Sequence, residues 1–182
     1  MIRNKLALLI VLTFVMAALG FVVTKTAFHN SVNAATPPTS GAPAVQNVNL
    51  DQARNLAGFE IALPSRVPSG FLPPTTFAVS EMKTQSADKV VQHIWRSGND
   101  DKAIFVFTQT PAKFEIGDGQ PARVAGTTGQ EHYVVPSNGA PSIMTLGWES
   151  SGMYFALSGR LSGSLDRDAM RDIAASVKFP AR

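Results

Sequence analysis

The sequence contains no cysteine among its 182 residues. This absence excludes disulfides, thiolate nucleophiles and cysteine-ligated zinc sites, and it excludes the lipid-modified cysteine of a bacterial lipoprotein anchor. Charge is also scarce, because only 16% of the residues are charged and the formal net charge is +3. Without Arg3 and Lys5, which precede the first apolar run, the remaining charge is close to balanced. Basic residues are not clustered or interleaved with aromatic ones, so the sequence excludes nucleic acid as a partner.

The sequence also lacks the spacing patterns of common catalytic and metal sites. Its three histidines, His29, His93 and His132, stand far apart and form no HExxH or other paired pattern. No serine has the flanking glycines of a hydrolase nucleophile elbow. The glycines near Asp118 and Thr127 lack the rest of a phosphate-binding loop and indicate turns. We therefore expect no enzyme, no cofactor and no metal site.

One long apolar run, Leu6–Val23, lies near the start of the chain and contains no charged residue. As a helix it would extend about 27 Å, close to the roughly 30 Å hydrocarbon core of a bilayer. We expect a membrane-spanning signal anchor with its amino terminus inside, because Arg3 and Lys5 outweigh Lys25. The alternative is secretion after cleavage near Ala34, which the long gap behind the apolar run disfavours. Both alternatives make the bulk of the chain extracytoplasmic.

A segment without charge, residues 30–50, follows the apolar run and is rich in Ala, Pro, Thr, Ser and Asn. This composition predicts a flexible tether. Asn49 and Gly58 are suited to begin and end a short helix after the tether. The expected organisation is a cytoplasmic stub (residues 1–5), a membrane helix (6–23), a tether (24–49) and an extracytoplasmic globular domain (50–182).

The segment Leu56–Ser80 leads into the rest of the domain and is called the strap below. It contains four prolines, which exclude a helix and favour extended backbone: Pro64, Pro68, Pro73 and Pro74. Apolar residues lie between the prolines, and their spacing is not that of a regular PxxP ligand. The strap is therefore predicted to cover an edge of a sheet.

The remainder of the domain is dominated by predicted strands. Ala103–Gln109 is apolar at positions of both parities, which indicates a central strand covered on each face. The other predicted strands outside the late hairpin are Phe77–Met82, Lys89–Arg96, Phe114–Ile116, Ala122–Ala125 and Glu131–Val135. We expect the last two to pair with each other.

The clearest local signal is a hairpin within Ile143–Gly159, with the two-residue loop Ser151-Gly152. This loop sets Trp148 opposite Phe155 and Leu146 opposite Leu157. Large apolar side chains then share one face of the hairpin, which predicts a buried surface.

A helix is predicted after the hairpin, capped by Ser164 and running over Leu165–Val177 until Pro180 prevents its continuation. Its apolar residues recur at helical spacing and make one stripe. We therefore predict an α+β fold, with a curved, mainly antiparallel sheet of about six strands and this helix packed on it. The membrane-spanning helix precedes that domain.

Three stretches resemble a family of uncharacterised bacterial extracytoplasmic domains: ALPSRVPSGF, LGWESSGMYFALSG and LDRDAMRDIAASV. Such domains follow a single membrane helix, including in the outer halves of anti-sigma-factor-like and sporulation-associated proteins. The resemblance covers about residues 50 to 179. It implies a distant similarity to the half-barrels of lipoprotein carriers, and with it a role in sensing lipid or peptide. None of these motifs is catalytic, so the resemblance assigns no functional residue.

These observations favour a non-enzymatic binding or sensing module at the outer face of the membrane, with a protein or an apolar ligand as its partner. One alternative is a carrier of an apolar ligand such as a lipid or a lipoprotein. Another is an envelope hydrolase whose acids would come from scattered carboxylates: Glu81, Glu115, Glu131 or Glu149.

Large apolar side chains of the predicted sheet are the candidates for a ligand face or for a core face. They are Trp95, Phe105, Phe107, Met144, Leu146, Trp148 and Phe155, together with Ile94. The helix has little bulk to cover them, but the strap can supply the missing cover, and its apolar content favours that closed arrangement.

Overall fold

A computed structural model of the chain describes residues 45–81, 88–100 and 102–179. Strands hold 48% of the residues and helices 13%, so the fold is mainly β. The elements, in chain order, are β1 (Gln46–Val48), α1 (Leu50–Ala57), β2 (Leu63–Pro64), β3 (Phe71–Leu72), β4 (Phe77–Glu81), β5 (Lys89–Ser97), β6 (Ile104–Thr110), β7 (Gln120–Val124), β8 (Thr127–Val134), β9 (Ile143–Ser150), β10 (Met153–Arg160), α2 (Arg167–Ala175) and β11 (Val177–Lys178).

Nine of the strands form one antiparallel sheet in the order β1-β4-β5-β6-β10-β9-β8-β7, with β3 paired to β5 beside β4. The sheet therefore consists of two meanders, β4-β5-β6 and β7-β8-β9-β10, which meet where β6 pairs with β10. The two remaining strands, β2 and β11, pair with each other and join the strap to the end of α2.

The predicted late hairpin is confirmed with its register. Trp148 pairs with Phe155, and Leu146 pairs with Leu157, across the loop Ser151-Gly152. The prediction that the 103–109 segment is covered on both faces is also confirmed, because every residue of β6 is buried. Ala122–Ala125 and Glu131–Val135 were predicted to pair, and they lie largely within the paired strands β7 and β8, whose turn begins at Ala125.

The first helix forms where it was predicted, and its ends show why. Asn49 accepts a hydrogen bond from the Gln52 backbone, and the Gln52 side chain accepts one from the Asn49 backbone. Gly58 closes the helix in the left-handed region, at φ 73°, which glycine adopts without strain. The reciprocal cap satisfies backbone N–H groups that a helix start leaves unpaired.

The second helix is shorter than predicted, and Ser164 is not its cap. The cap is Asp166, whose side chain accepts from the Ala169 backbone at 2.8 Å. Leu165 instead forms an isolated β-bridge with Ser162 and is fully buried before the helix begins. Burial of Leu165 in the core thus precedes the helix start, which a capping pattern in the sequence does not reveal.

The predicted α+β class is wrong, because two short helices stand against nine strands of one sheet instead of about six. The additional strands include β1, in the segment predicted as tether, and β3, in the strap. Strands of two or three residues are too short to show alternation, so their pairing is visible only in three dimensions. Phe114–Ile116, predicted as a strand, is not one; it lies in the loop between β6 and β7.

No helix within the described ranges is long and apolar enough to cross a membrane. The predicted membrane helix Leu6–Val23 lies outside the described residues.

Candidate functional site

The structure brings the seven predicted face residues together in one buried cluster, and each is at most 7% exposed. They lie on one face of the sheet, which we call the core face. Trp95 stacks on Phe105 with ring centroids 5.6 Å apart, and Trp148 stacks on Phe155 at 5.3 Å. Phe107 lies between the two stacks, 5.8 Å from Phe155. In this structure these side chains pack as core.

Both the helix and the strap cover the core face. Met170 and Ile173 of α2 are buried in the cluster, and Ala62 and Phe71 join it from the strap. The side chain of Gln109 holds the strap in place, because its Oε1 accepts from the Ala62 N–H at 2.9 Å and its Nε2 donates to the Glu60 carbonyl at 2.7 Å. The strap thus contributes the cover that the helix lacks.

Ile94 was predicted to share this face, but it lies on the opposite one. Successive side chains of a strand point to opposite faces, and His93 and Trp95 of β5 already point into the core. Ile94 is half-buried and lines a groove on the second face of the sheet, which we call the groove face.

The groove forms where the strap leaves the edge of the sheet. Leu72 of β3 pairs with Arg96, and Phe77 of β4 pairs with His93, so both strands use the same edge of β5. The four residues between them, Pro73-Pro74-Thr75-Thr76, belong to no strand. Proline has no N–H to donate to a sheet, so the two prolines interrupt the edge and the chain bulges outward.

The groove has a volume of about 730 Å³ between this bulge and strands β4, β5 and β6. Its floor is apolar and carries small or branched side chains from three strands, Ala78, Ile94 and Val106. Leu72 lies at its rim and is 63% exposed. The remaining lining residues are mostly polar or proline: Val45, Asn47, Pro73, Pro74, Thr75, Thr76, Ser80, Gln92, His93 and Arg96.

Among the described residues that line the groove, Arg96 carries the formal charge and none is a carboxylate. Its side chain is exposed and has no ion pair or hydrogen bond with another described residue. Gln92 donates from Nε2 to Thr108 Oγ1 at 3.0 Å, which leaves its amide oxygen as an acceptor. The groove therefore combines an apolar floor, amide groups and one uncompensated positive charge.

His93 contributes no charge to the groove at neutral pH. Its Nδ1 accepts a hydrogen bond from Trp95 Nε1 at 2.9 Å, so the proton of the neutral ring is on Nε2. That Nε2 is buried and has no hydrogen-bond partner among the described residues. Burial of the ring lowers the pKa of His93 from its ordinary value of 6.5 to about 3.

A second recess, of about 580 Å³, lies between the β7–β8 hairpin and the start of α2. It contains Glu131, which bonds Arg167 at 2.5 Å and Arg171 at 2.9 Å. The Arg167 guanidinium also lies 4.5 Å from the centre of the Tyr133 ring. Burial alone would raise the pKa of Glu131, but the hydrogen bonds from both arginines outweigh it and hold that pKa below its usual range. A carboxylate so firmly ionised ties α2 to the sheet and is poorly suited to donate a proton.

The other carboxylates considered for a hydrolase lie on separate elements. Glu81 at the end of β4 pairs with Lys89 of β5, and Glu149 of β9 forms a hydrogen bond that raises the pKa of Tyr154. Glu115 is in the loop before β7. Within residues 45–81, 88–100 and 102–179, no group of three or more His, Asp or Glu side chains is placed to hold a metal ion.

Sequence reasoning missed the groove, apart from naming Ile94. The available signals were the Pro73-Pro74 pair inside an apolar segment and the blurred alternation of Lys89–Arg96. Apolar residues fall at positions of both parities in Lys89–Arg96, so this strand has two apolar faces.

No protein-family model, no curated protein and no solved structure matches the chain significantly. The resemblance to extracytoplasmic domains behind a membrane helix therefore stays a prediction.

Proposed function

We propose that this protein is a non-enzymatic binding module, displayed outside the cell membrane, that holds its partner in the groove beneath the Pro73–Thr76 bulge. The observation that carries this proposal is a concave surface with an apolar floor, an exposed leucine at its rim and an unpaired charge. Binding sites commonly combine apolar walls with a few polar groups that set orientation.

The core face offers a ligand much less accessible space than the groove does. Its aromatic cluster is filled by the strap and by α2, so a lipid could enter only if one of these covers moved. The groove needs no such movement. This difference favours a binding module over the carrier of an apolar ligand.

The carboxylates of the described domain also favour binding over hydrolysis. Glu131 is paired with two arginines, Glu81 is paired with a lysine, and neither lines the groove. A glycoside hydrolase needs one carboxyl group on each side of the glycosidic bond that it cleaves, and the two groups lie about 5 to 10 Å apart.

Membrane attachment is part of the proposal and rests on the sequence of Leu6–Val23, with basic residues before it. The groove begins close to the predicted tether, because Val45 and Asn47 are among its lining residues. Membrane fractionation followed by intact-mass measurement tests the attachment. A soluble species beginning at Ala35 would show cleavage and contradict a permanent anchor.

The test of the groove uses two exposed apolar residues in different places. Leu72 is 63% exposed at the groove, and Val135 is 67% exposed just after β8. The full chain in lipid nanodiscs is used to select a phage-displayed library of random octapeptides, and the affinities of the selected peptides are measured by fluorescence anisotropy. We expect Leu72→Asp to weaken binding about tenfold or more, because a charge replaces an apolar contact. Val135→Asp should change it by less than about twofold.

Two results would contradict the proposal. One is a selection that enriches no peptide. The other is equal loss of affinity in Leu72→Asp and Val135→Asp, which would place binding outside the groove or make it nonspecific.

A further inference from the structure

We infer that the partner is an extended peptide segment of another molecule, with apolar side chains on the groove floor and one carboxylate paired with Arg96. This inference rests on the proposed function and adds the chemistry of the occupant. It follows from the position of the charge, from the polar groups of the lining and from the composition of the chain itself.

Arg96 carries its charge in apolar surroundings. It lies on the groove face of β5, two positions beyond Ile94, and its backbone neighbours are Leu72 of β3 and Ile104 of β6. Its charge is thus next to apolar side chains, and none of the described lining residues is an acid that could neutralise it. Arginine is suited to bidentate recognition of a carboxylate, and charge complementarity then favours an anionic group at this end.

Three other arginines of the described domain are paired with carboxylates of the chain itself. Arg54 pairs with Asp51, and Arg167 and Arg171 share Glu131. Each of these has its acid supplied by the same fold. Arg66 and Arg123 also lack an ion pair within the described residues, but Arg96 differs from them because it lines a concave surface, where the acid of an occupant can reach it.

Polar groups in the groove distinguish a peptide from an acyl chain as its occupant. The lining includes the amides Asn47 and Gln92 and the hydroxyls of Ser80 and Thr75. An acyl chain would cover these groups without forming hydrogen bonds, which costs free energy. The backbone of an extended peptide offers N–H and C=O groups at regular intervals, and the free amide oxygen of Gln92 can accept from one of them. The lining therefore favours a peptide.

The size of the groove suits a short extended peptide. Gln92, Ile94 and Arg96 point to the same face, and four residues of a strand extend over about 13 Å. An extended peptide of about four residues can therefore run beside them, with its apolar side chains over Ala78 and Ile94 and its acid at Arg96. A groove of about 730 Å³ is within the range of natural ligand sites.

The chain's own tether does not meet this description. Residues 30–50 contain no Asp or Glu, so they have no side-chain carboxylate to offer Arg96. The occupant is therefore a segment of another molecule, and its carboxylate comes from an Asp or Glu side chain or from a free carboxyl terminus.

Charge reversal tests the inference. The octapeptide selection is repeated on the full chain carrying Arg96→Glu and on a matched control, Arg123→Glu, whose exposed side chain lies on β7 outside the groove. We expect the unchanged chain and the control to enrich acidic peptides and Arg96→Glu to enrich basic ones. Arg96→Gln should weaken the acidic peptides about tenfold, and circular dichroism verifies that each variant is folded.

The source of the carboxylate is found by synthesis. Each selected peptide is made with Asn or Gln in place of its acid, and separately with an amidated terminus. A roughly tenfold loss in one of these forms supports the inference and identifies the source. Equal affinity of all forms, or unchanged selection by Arg96→Glu, would overturn the pairing with Arg96 and leave peptide binding in the groove intact. Failure of every peptide to bind would overturn both proposals.

Discussion

The two faces of the central strand β6 carry side chains of different kinds. Phe105, Phe107 and Gln109 point to the core face, whereas Val106 and Thr108 point to the groove face, and all five are at most 2% exposed. On the core face burial comes from large rings and from the strap. On the groove face the side chains are small, and Val106 lies between Ile94 and Ser158 of the neighbouring strands. Equal burial is therefore reached with side chains of different size on the two faces, and the groove lies on the face with the smaller ones.

The largest expected effect comes from removing a ring on the core face. Phe107→Ala would leave a cavity between the stacked pairs Trp95–Phe105 and Trp148–Phe155, so we expect a loss of about 3–5 kcal/mol in the free energy of unfolding. Val106→Ala, the matched change on the other face, removes two methyl groups and should cost about 1.5 kcal/mol. Urea denaturation measures both. Similar losses for the two variants would show that the faces are packed alike.

A smaller effect should separate the polar neighbours Gln109 and Thr108. Gln109→Leu would leave the buried Ala62 N–H and the Glu60 carbonyl without partners, at about 1–3 kcal/mol for each group that water cannot reach. Thr108→Val breaks one hydrogen bond to Gln92, which is half-buried and can turn to water, so we expect a loss of about 1 kcal/mol or less.

The attachment of the strap to the sheet through Gln109 can also be tested by hydrogen exchange. Gln109→Leu should raise the exchange rate of the Ala62 amide, because the strap loses its attachment to the sheet. If exchange at Ala62 is unchanged, the strap is held by its apolar contacts and the hydrogen bonds matter little.

The sequence predicted the elements that depend on local chemistry. The loop Ser151-Gly152 determines the register of its hairpin, and the Asn49–Gln52 cap and Gly58 determine the limits of α1. These signals lie within a few residues of the structure that they produce. They do not depend on how the rest of the chain packs.

The sequence did not predict what distant segments do to one another. β1 and β3 form because β4 and β5 offer edges to pair with. The second helix is capped by Asp166 and not by Ser164, because Leu165 is held in the core. The groove has the same origin, since it requires the Pro73–Thr76 bulge to lie over strands that come later in the chain. The number of strands was underestimated for this reason, since β1 and β3 are pairings of three and two residues.

The effect confined to acid pH is a dependence of stability on pH that arises from His93 on the core face. Burial lowers the pKa of His93 from 6.5 to about 3, so the folded protein holds a neutral ring while the unfolded chain takes up a proton below pH 6.5. Above pH 6.5 both states are neutral, and the residue contributes nothing to the pH dependence. As the pH falls from 6.5 towards 3, the folded state loses about 1.4 kcal/mol per pH unit from this group.

Urea denaturation at pH 7.0 and pH 4.5 measures this loss, which should be on the order of 2–3 kcal/mol over the two units below 6.5. Carboxylates also titrate in this range, so the informative quantity is the difference between variants. His93→Leu should abolish this part of the slope, although it lowers stability at pH 7 by leaving Trp95 Nε1 without its acceptor. If His93→Leu and the unaltered chain lose stability equally between the two pH values, water reaches His93, and the core face is not as dry as its packing indicates.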